Sequence, residues 1–490
     1  MFAAFTVSAD DQRLAAVYRN LETNLRAVIT TARAVGARVV LCTPLTNLRD
    51  CPPFAARSRS DLSPAARTAV TRLVGEGDEL ADSGCHTEAA QCYRKAMAFD
   101  PGDAGLPYRL GRSLAALGRW SEARRTFEAA RDLDTLRFRA DSAILDVIRR
   151  VAAAESPAGD VELVDLDRMV AQLPGAASIP GSDMLYEHVH LTFEGNYRIA
   201  AAVLPSVIRA LNIGLPLQSD TCPVEPPSLE RTLEIVYYTD RHRLAALQGM
   251  ARLTSHAPFS GVWHGRFDDE MSRLRASLSR EDLHREISWL RAEVTSQPDD
   301  LLLRHRLASA LAAGGGRQEA LGEYERLIDR YPYSSSWREE LGRLLVDVGF
   351  FDEAIDHYRS ALEMRPGDVS LRVGLGEALR QARRDDEALV AFNSALAMRD
   401  EQSAAHLGAG VILLKRGEFG AAESHFRSAA EHLPQAPLPH LHLAETLARQ
   451  GRHVEAEVAM RRALELAEAL GADRLAGQIR TRLGAGPPRG

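Results

Sequence analysis

The feature that most constrains the fold is a repeat of 34 residues in the C-terminal half of the chain. An alanine recurs at this spacing, an aromatic residue or methionine follows it by four positions, and alanine or leucine follows it by seven. A proline ends three of the units. Similarity at a period of roughly 20 to 50 residues indicates a solenoid of stacked units. The alanines are Ala320, Ala354, Ala388, Ala422 and Ala456, and the prolines are Pro332, Pro366 and Pro434.

Each unit is predicted to be a helical hairpin. The pattern resembles the tetratricopeptide repeat, in which small residues let two helix backbones approach and an aromatic side chain fills the space beside them. Proline cannot continue a helix and therefore ends the second one. The first helix carries a small residue thirteen positions or so before the alanine, in the pairs Leu307-Ala308, Leu341-Gly342, Leu375-Gly376 and Leu443-Ala444, with Ala409-Gly410 as a weaker copy.

The repeats define most of the predicted domain organisation. Five units cover 301–470, and a degenerate unit at 267–300 and a capping helix at 471–483 complete an array over 267–483, before a tail at 484–490. A second pair of units is predicted at 70–137, because Ala89 and Tyr93 recur 34 residues later as Ala123 and Phe127.

This upstream pair interrupts a region with a different pattern. A β-branched run at Val39 to Cys42 precedes it and a predicted strand at 161–166 follows it, and each is accompanied by an apolar helix. Alternating strands and helices predict a parallel α/β layer. Chemistry gathers at the carboxyl ends of such strands, where we expect Asn47, Arg49 and Asp50 beside the loop that precedes His190.

The stretches TNLRDCPPF and EHVHLTFEGNYRIA resemble the later part of an SGNH (GDSL-like) hydrolase domain. The resemblance covers about 1–65 and 155–265, of which we assign 1–65 and 155–215 to a partial α/β domain and 216–266 to a helical connector. It implies an incomplete flavodoxin-like parallel sheet, so the predicted fold class is mainly α with a partial α/β domain.

The same resemblance implies an acid and a histidine for acyl transfer, here Glu187 and His190. His190 would take a proton from a serine, Glu187 would orient the imidazole, and backbone N–H groups with an asparagine would hold the oxyanion. The chain departs from the family because it has no Gly-Asp-Ser or Gly-x-Asn block. Ser8 has no glycine turn before it, and Ser182 stands in the order Gly-Ser-Asp.

Loss of the nucleophile block leaves several interpretations open. The missing blocks could belong to a longer native product, which would be an esterase, or the domain could be a relic that packs against another surface. Without the family's remaining strands, the sheet is expected to expose apolar faces and an open edge. A structural histidine, or zinc held by His188 and His190, are the other interpretations of this stretch. We predict a protein-interaction scaffold that is inactive as a hydrolase.

The first helices of the array are expected to line a concave groove for a protein or peptide partner. The Lys/Asn/Arg clamp that chaperone-binding relatives use for C-terminal carboxylates is absent, and the groove changes from mixed charge to apolar along its length. An amphipathic or apolar peptide is therefore the expected ligand. The predicted groove residues are Glu339, Arg343, Glu377, Arg380, Leu407, Val411, Leu414 and Leu441.

Composition excludes several other functions. A net charge of −7 gives no electrostatic footprint for nucleic acid. Five scattered cysteines form neither a disulfide framework nor a paired metal motif, and the glycines at 314–316 lack the Lys-Ser/Thr of a phosphate loop. We expect no cofactor and no metal. The sequence has no signal peptide and no apolar run long enough to span a membrane, so the default expectation is a cytoplasmic location.

Overall fold

The computed structural model of the protein describes residues 6–56, 62–211, 225–255, 258–263 and 265–484. It divides into two compact units, Met1–Leu278 and Ser279–Gly490. Both units are mainly helical. Within the described ranges, none of the helices combines the length and the apolar character that crossing a membrane requires.

Unit 1 places four repeat helices between two short strands. Its elements are α1 (Arg13–Ala34), β1 (Val39–Cys42), α2 (Pro64–Asp82), α3 (His86–Phe99), α4 (Gly105–Ala116), α5 (Trp120–Leu133), α6 (Ser142–Glu155), β2 (Val161–Val164), α7 (Leu166–Ala171), α8 (Phe193–Leu211), α9 (Leu229–Ile235), α10 (Asp240–Leu253), α11 (Ser260–Trp263) and α12 (Asp268–Ser277).

The two strands pair in parallel, with Val39 opposite Val161 and Cys42 opposite Val164. Side chains of a strand alternate between faces. Val39 packs on one side against a core of α1 and α6, and Val40 packs on the other side against a core that includes α8. Helices therefore cover both faces, so the expectation of exposed apolar faces was wrong. The described residues contain a two-stranded parallel sheet, and nothing in them supports a flavodoxin-like one.

The inserted segment forms the two predicted helical hairpins, α2 with α3 and α4 with α5. Tyr93 and Phe127 are almost fully buried, and Ala89 and Ala123 beside them are completely buried. A side chain at Gly111 would lie 2.8 Å from the Phe127 ring. The small residues of the pattern are thus required by the close approach of the two helices.

Unit 2 begins with a single helix, continues as five hairpins and ends with one further helix. Its elements are α13 (Arg280–Ser296), α14 (Leu301–Ala313), α15 (Arg317–Arg330), α16 (Ser335–Val348), α17 (Phe351–Met364), α18 (Val369–Gln381), α19 (Asp385–Met398), α20 (Ser403–Arg416), α21 (Phe419–His432), α22 (Pro437–Arg449), α23 (His453–Ala469) and α24 (Asp473–Gly484).

The starts of the first three hairpins are encoded locally. Asp300, Ser334 and Asp368, which are 34 residues apart, accept hydrogen bonds from backbone N–H groups in the first turns of α14, α16 and α18. Such caps satisfy donors that a helix start leaves unpaired. The predicted degenerate unit at 267–300 is split between the compact units, because α12 lies in the first and α13 in the second.

The core of unit 2 repeats with the sequence. The five recurring alanines are at most 8 % exposed, and the aromatic rings that follow four of them are at most 4 % exposed. Phe392 shows the packing: it lies between Gly376 of its own hairpin and Gly408 of the next. Each aromatic ring therefore joins two consecutive hairpins, which is why the units stack.

Candidate functional site

The first helices of the middle hairpins in unit 2 line an open groove of about 940 Å³. One part of the lining is charged and comes from α16 and α18. The other part is apolar and includes Val373, Leu407, Val411 and Leu438. The lining therefore changes from mainly charged on α16 and α18 to mainly apolar on α20 and α22.

Four carboxylates and two guanidinium groups line this groove, namely Glu339, Glu340, Asp347 and Glu377 with Arg343 and Arg380. Arg343 donates to Glu340 at 2.5 Å and Arg380 donates to Glu377 at 2.5 Å. These hydrogen bonds raise the pKa of both arginines. Because the two cations are already paired, the groove presents a net negative charge to a ligand.

Six of the eight predicted groove residues line this cavity: Glu339, Arg343, Glu377, Arg380, Leu407 and Val411. Leu414 instead packs, partly buried, against the core of the fourth and fifth hairpins. Leu441 is buried against α23 and the final helix α24. Both therefore contribute to the core and not to the groove, since the end of the array is covered where a further hairpin would otherwise stack.

A second candidate site lies in unit 1, in the turn between Leu185 and Leu191, which form an antiparallel bridge. Glu187 is 1 % exposed, and its carboxylate accepts the backbone N–H groups of His188, Val189 and His190. It also lies 2.5 Å from His190 Nδ1. The turn thus fixes the carboxylate, and the carboxylate fixes the imidazole.

This geometry favours one tautomer of the His190 ring. Glu187 accepts a hydrogen bond from Nδ1–H, which leaves Nε2 of His190 as the acceptor. The His190 side chain is about half exposed. Within the part of the chain that the structure describes, no serine or threonine hydroxyl is hydrogen-bonded to this ring. The pair can therefore accept a proton from solvent or a ligand, but it lacks an attacking hydroxyl in contact.

His188 lies in different surroundings from His190. Its ring stacks on Phe259 at 5.0 Å and contacts Phe54 and Phe138 edge-on. Burial, with Arg139 and His190 as further causes, lowers the pKa of His188 to about 4. Its Nδ1 lies against Glu187. A zinc site shared by the two histidines is not formed, because one ring is enclosed by aromatic side chains and the other faces outward.

The loop after β1 meets the loop before His190, as predicted for the carboxyl end of a parallel sheet. Asn47 N–H donates to the His188 carbonyl at 3.0 Å, and Arg49 donates to Asp183 at 2.6 Å. Asp50 accepts the backbone N–H of Ser182 at 2.7 Å. The Ser182 hydroxyl accepts from Arg266 at 2.5 Å, so it is engaged away from His190.

Two features of this region, a buried ion pair and an open cavity, were not predicted from the sequence. Arg139 and Asp134 form an ion pair in which both side chains are 3 % exposed. Arg139 also donates to the carbonyls of Asn47 and Cys51. A separate open cavity of about 380 Å³ is lined by Tyr186, Tyr238 and Arg266 among others, and His190 is not part of its lining.

Comparison with known proteins identifies the repeats. The family described as "Tetratricopeptide repeat" matches residues 339–406, 386–437 and 407–471, residues 80–143 and residues 304–334. The chain therefore contains tetratricopeptide repeats in both units. These matches concern the repeats and lend no support to the hydrolase resemblance. No curated protein matches the chain at a significant level.

Solved structures of repeat proteins resemble parts of the chain. YrrB, described as a TPR protein with an unusual peptide-binding site, is 19% identical over 38% of this chain and 97% of its own, with a TM-score of 0.30. PilW, described as a type IV pilus biogenesis factor, is 21% identical over 39% and 96%, with a TM-score of 0.32. MamA from Desulfovibrio magneticus RS-1 is 18% identical over 35% and 97%, with a TM-score of 0.32.

Proposed function

We propose that this protein is an interaction scaffold whose unit 2 binds an amphipathic peptide segment of a partner protein in the groove of α16, α18, α20 and α22. The observation that carries the proposal is the groove itself, an open space of about 940 Å³ lined mainly by the first helices of consecutive hairpins. Recognition of peptide segments by preformed grooves of this kind follows from apolar anchors and complementary charge.

The lining defines the chemistry of the ligand. Val373, Leu407, Val411 and Leu438 would receive apolar side chains. The lining has more carboxylates than guanidinium groups. Glu339 is 3.4 Å from Arg365, whereas Asp347 lies outside the arginine pairs of the groove, so the excess negative charge at Asp347 favours a lysine or arginine at one end of the same peptide. Burial raises the pKa of Glu339, so a cation placed beside this carboxyl would also draw it towards its charged form.

The test begins with selection of random peptides displayed on phage against the full-length chain. Selected peptides are expected to combine apolar residues with lysine or arginine at one end. Their affinities are then measured by fluorescence anisotropy. Replacing the basic residue by glutamine should weaken binding, and added salt should weaken the original peptide more than the replaced one, because exposed charges are screened.

Two matched pairs of variants locate the binding site. Val373→Glu should weaken binding at least ten-fold, whereas Val390→Glu, on the exposed surface of α19, should leave it unchanged. Asp347→Asn should weaken binding of the basic peptide, whereas Glu363→Gln on α17 should not. The proposal would be refuted if the selected peptides bound the two variants of each pair with equal affinity, or if their binding required a free C-terminal carboxylate.

We propose further that the α/β part of unit 1 is an SGNH hydrolase-like remnant that keeps an acid–histidine pair and lacks acyl-transfer activity. The geometry of Glu187 and His190 supports the origin, since a buried carboxylate orients an imidazole whose Nε2 is free. The engagement of Ser182 by Arg266 supports the lack of activity. The alternative is an esterase in which a longer native product supplies the nucleophile.

Hydrolysis of p-nitrophenyl acetate and labelling by a fluorophosphonate distinguish these two possibilities. The full-length chain should not be labelled, and its hydrolysis rate should equal that of Ser182→Ala. Any small rate lost in His190→Ala without labelling would come from the imidazole acting alone. Labelling of a serine, together with loss of turnover in His190→Ala, would establish the esterase and exclude the inactive remnant.

A further inference from the structure

The turn before the fourth hairpin of unit 2 has an unusual residue that does not line the peptide groove. The proline that ends most units is replaced by Asp400, at the turn between α19 and α20. Two further positions of the same hairpin carry histidine, His406 in α20 and His432 at the end of α21. At the first of these, three other units have arginine and one has histidine, and at the second no other unit has histidine. In place of Asp400 the other units have Pro298, Pro332, Pro366 and Pro434. In place of His406 they have Arg304, Arg338, Arg372 and His440, and in place of His432 they have Arg330, Met364, Met398 and Leu466.

Asp400, His406 and His432 lie close together in the structure. One nitrogen of His406, one nitrogen of His432 and one carboxylate oxygen of Asp400 all lie within 4.8 Å of one another. His406 Nε2 is 3.6 Å from Asp400 Oδ1, and the rings of His406 and His432 stack with centroids 6.1 Å apart. Ligands of one metal ion are separated by distances of this order, because each lies roughly 2 Å from the ion.

A fourth residue, His425, contacts the second ring nitrogen of His406. His406 Nδ1 lies 3.0 Å from His425 Nδ1 on α21. A metal-binding histidine generally donates its second ring N–H to a neighbouring acceptor, which fixes the tautomer and the ring orientation. With Nε2 of His406 on an ion, Nδ1–H would donate to His425. His406 is also 6 % exposed, so its ring is held in place by packing.

A purely structural role accounts for only part of this cluster. In the first and second hairpins, Arg304 and Arg338 donate to the carbonyls of Pro298 and Pro332. His406 Nε2 lies 3.0 Å from the carbonyl of Asp400, which is the equivalent contact two or three repeats later. That contact explains a donor at position 406. It explains neither the carboxylate at 400 nor the imidazole at 432.

We propose that Asp400, His406 and His432 form a binding site for a divalent transition-metal ion of the zinc class, with His425 as a positioning residue. Two imidazoles and one carboxylate suit Zn²⁺, whereas Mg²⁺ and Ca²⁺ take oxygen ligands. Three protein ligands leave a fourth position for water or a group from a bound partner. The ion would tie the turn after α19 to both helices of the fourth hairpin.

The test uses the full-length chain without a histidine tag, stripped of metal by a chelator and dialysed. Isothermal titration with ZnCl₂ should show one ion per chain, and MgCl₂ or CaCl₂ at the same concentrations should show no comparable binding. Zn²⁺ should also raise the melting temperature, since the assembled site binds it more tightly in the native state than the unfolded chain does.

The repeat supplies replacements that preserve the fold. His406→Arg and His432→Met introduce residues that other hairpins carry at the same positions, and each should lower Zn²⁺ affinity at least 100-fold. His440→Arg makes the same change one repeat later and should have no effect. His425→Ala should weaken binding about 10- to 100-fold, the range found when such supporting residues are removed.

The outcomes are decisive because the three consensus variants should melt like the parent chain in the absence of metal. Zinc binding that survives in His406→Arg and His432→Met would place the ion elsewhere and overturn the proposal. Absence of zinc binding in the parent chain, or equal binding of Mg²⁺, would overturn it as well. Loss in these two variants with retention in His440→Arg supports it.

Discussion

The spacing between consecutive hairpins depends on a ring that has no room to move. Phe392 is 1 % exposed, and a Cβ added at Gly376 would lie 2.6 Å from its Cε1 atom, whereas ordinary contacts are 3.4–4 Å. The ring would have to retreat by close to 1 Å. It cannot do so freely, because Gly408 of the next hairpin lies against its other face.

Gly376→Ala should therefore destabilise unit 2. Overpacking of a close-packed core costs about 1–3 kcal/mol, and the better helix propensity of alanine offsets about 1 kcal/mol of this. The net loss is then up to about 2 kcal/mol, which corresponds to a fall of up to roughly 8 °C in melting temperature for a unit of this size. The effect should be local, with faster amide hydrogen exchange in α18 to α20.

Gly322→Ala is the matched control, because this glycine lies inside α15 with no atom within 4 Å of the added Cβ. There the gain in helix propensity is unopposed, and stability should rise by up to about 1 kcal/mol. The two substitutions are chemically identical and should have opposite signs. If Gly376→Ala melts at or above the temperature of Gly322→Ala, the packing argument is refuted.

Three predictions concern unit 1. Burial lowers the pKa of His188 to about 4, so between about pH 4 and pH 6.5 the unfolded chain binds more protons than the folded chain. The free energy of unfolding should therefore fall by about 3 kcal/mol on acidification through this window, and by less in His188→Phe. Urea denaturation at pH 7 and pH 4.5 measures the difference. Arg139→Met should cost about 3–5 kcal/mol because it leaves the buried Asp134 carboxylate unpaired, and adding Asp134→Asn should recover much of the loss. Burial raises the pKa of the Cys51 thiol to about 11, so mass-mapped iodoacetamide labelling should modify the exposed Cys85 and spare Cys51 until the chain unfolds.

The hairpins were predictable because the information that specifies them is local and periodic. Five units predicted at 301–470 correspond to α14 through α23, and the predicted strand at Val39 to Cys42 has those bounds. Equivalent positions of the units pack in similar surroundings, so the same pattern of small and aromatic residues recurs along the chain. The alternation of strands and helices in the sequence also implied that β1 and β2 pair in parallel. The described residues contain no further strand that extends this sheet.

The site features that escaped prediction depend on residues far apart in sequence. His188 lies among Phe54, Phe138 and Phe259, which no spacing connects. Leu441 fits the periodic position of a groove residue, yet α24 buries it because the array ends there. Periodicity describes the interior of a solenoid well, but it carries no information about where neighbouring units stop.

The extent of the groove depends on the residue at one position of the repeat. This position lies two residues before the small residue in the first helix of each hairpin. Glycine at this position, as in Gly374 and Gly408, brings the helix against the preceding ring and leaves Tyr358 and Phe392 in the lining. In the fifth hairpin the position is His442, which stacks on Phe426 with centroids 5.4 Å apart. Phe426 is thereby covered and is not part of the lining. The two glycines thus set where the groove is deep, and a ligand that anchors apolar side chains should place them beside Gly374 and Gly408.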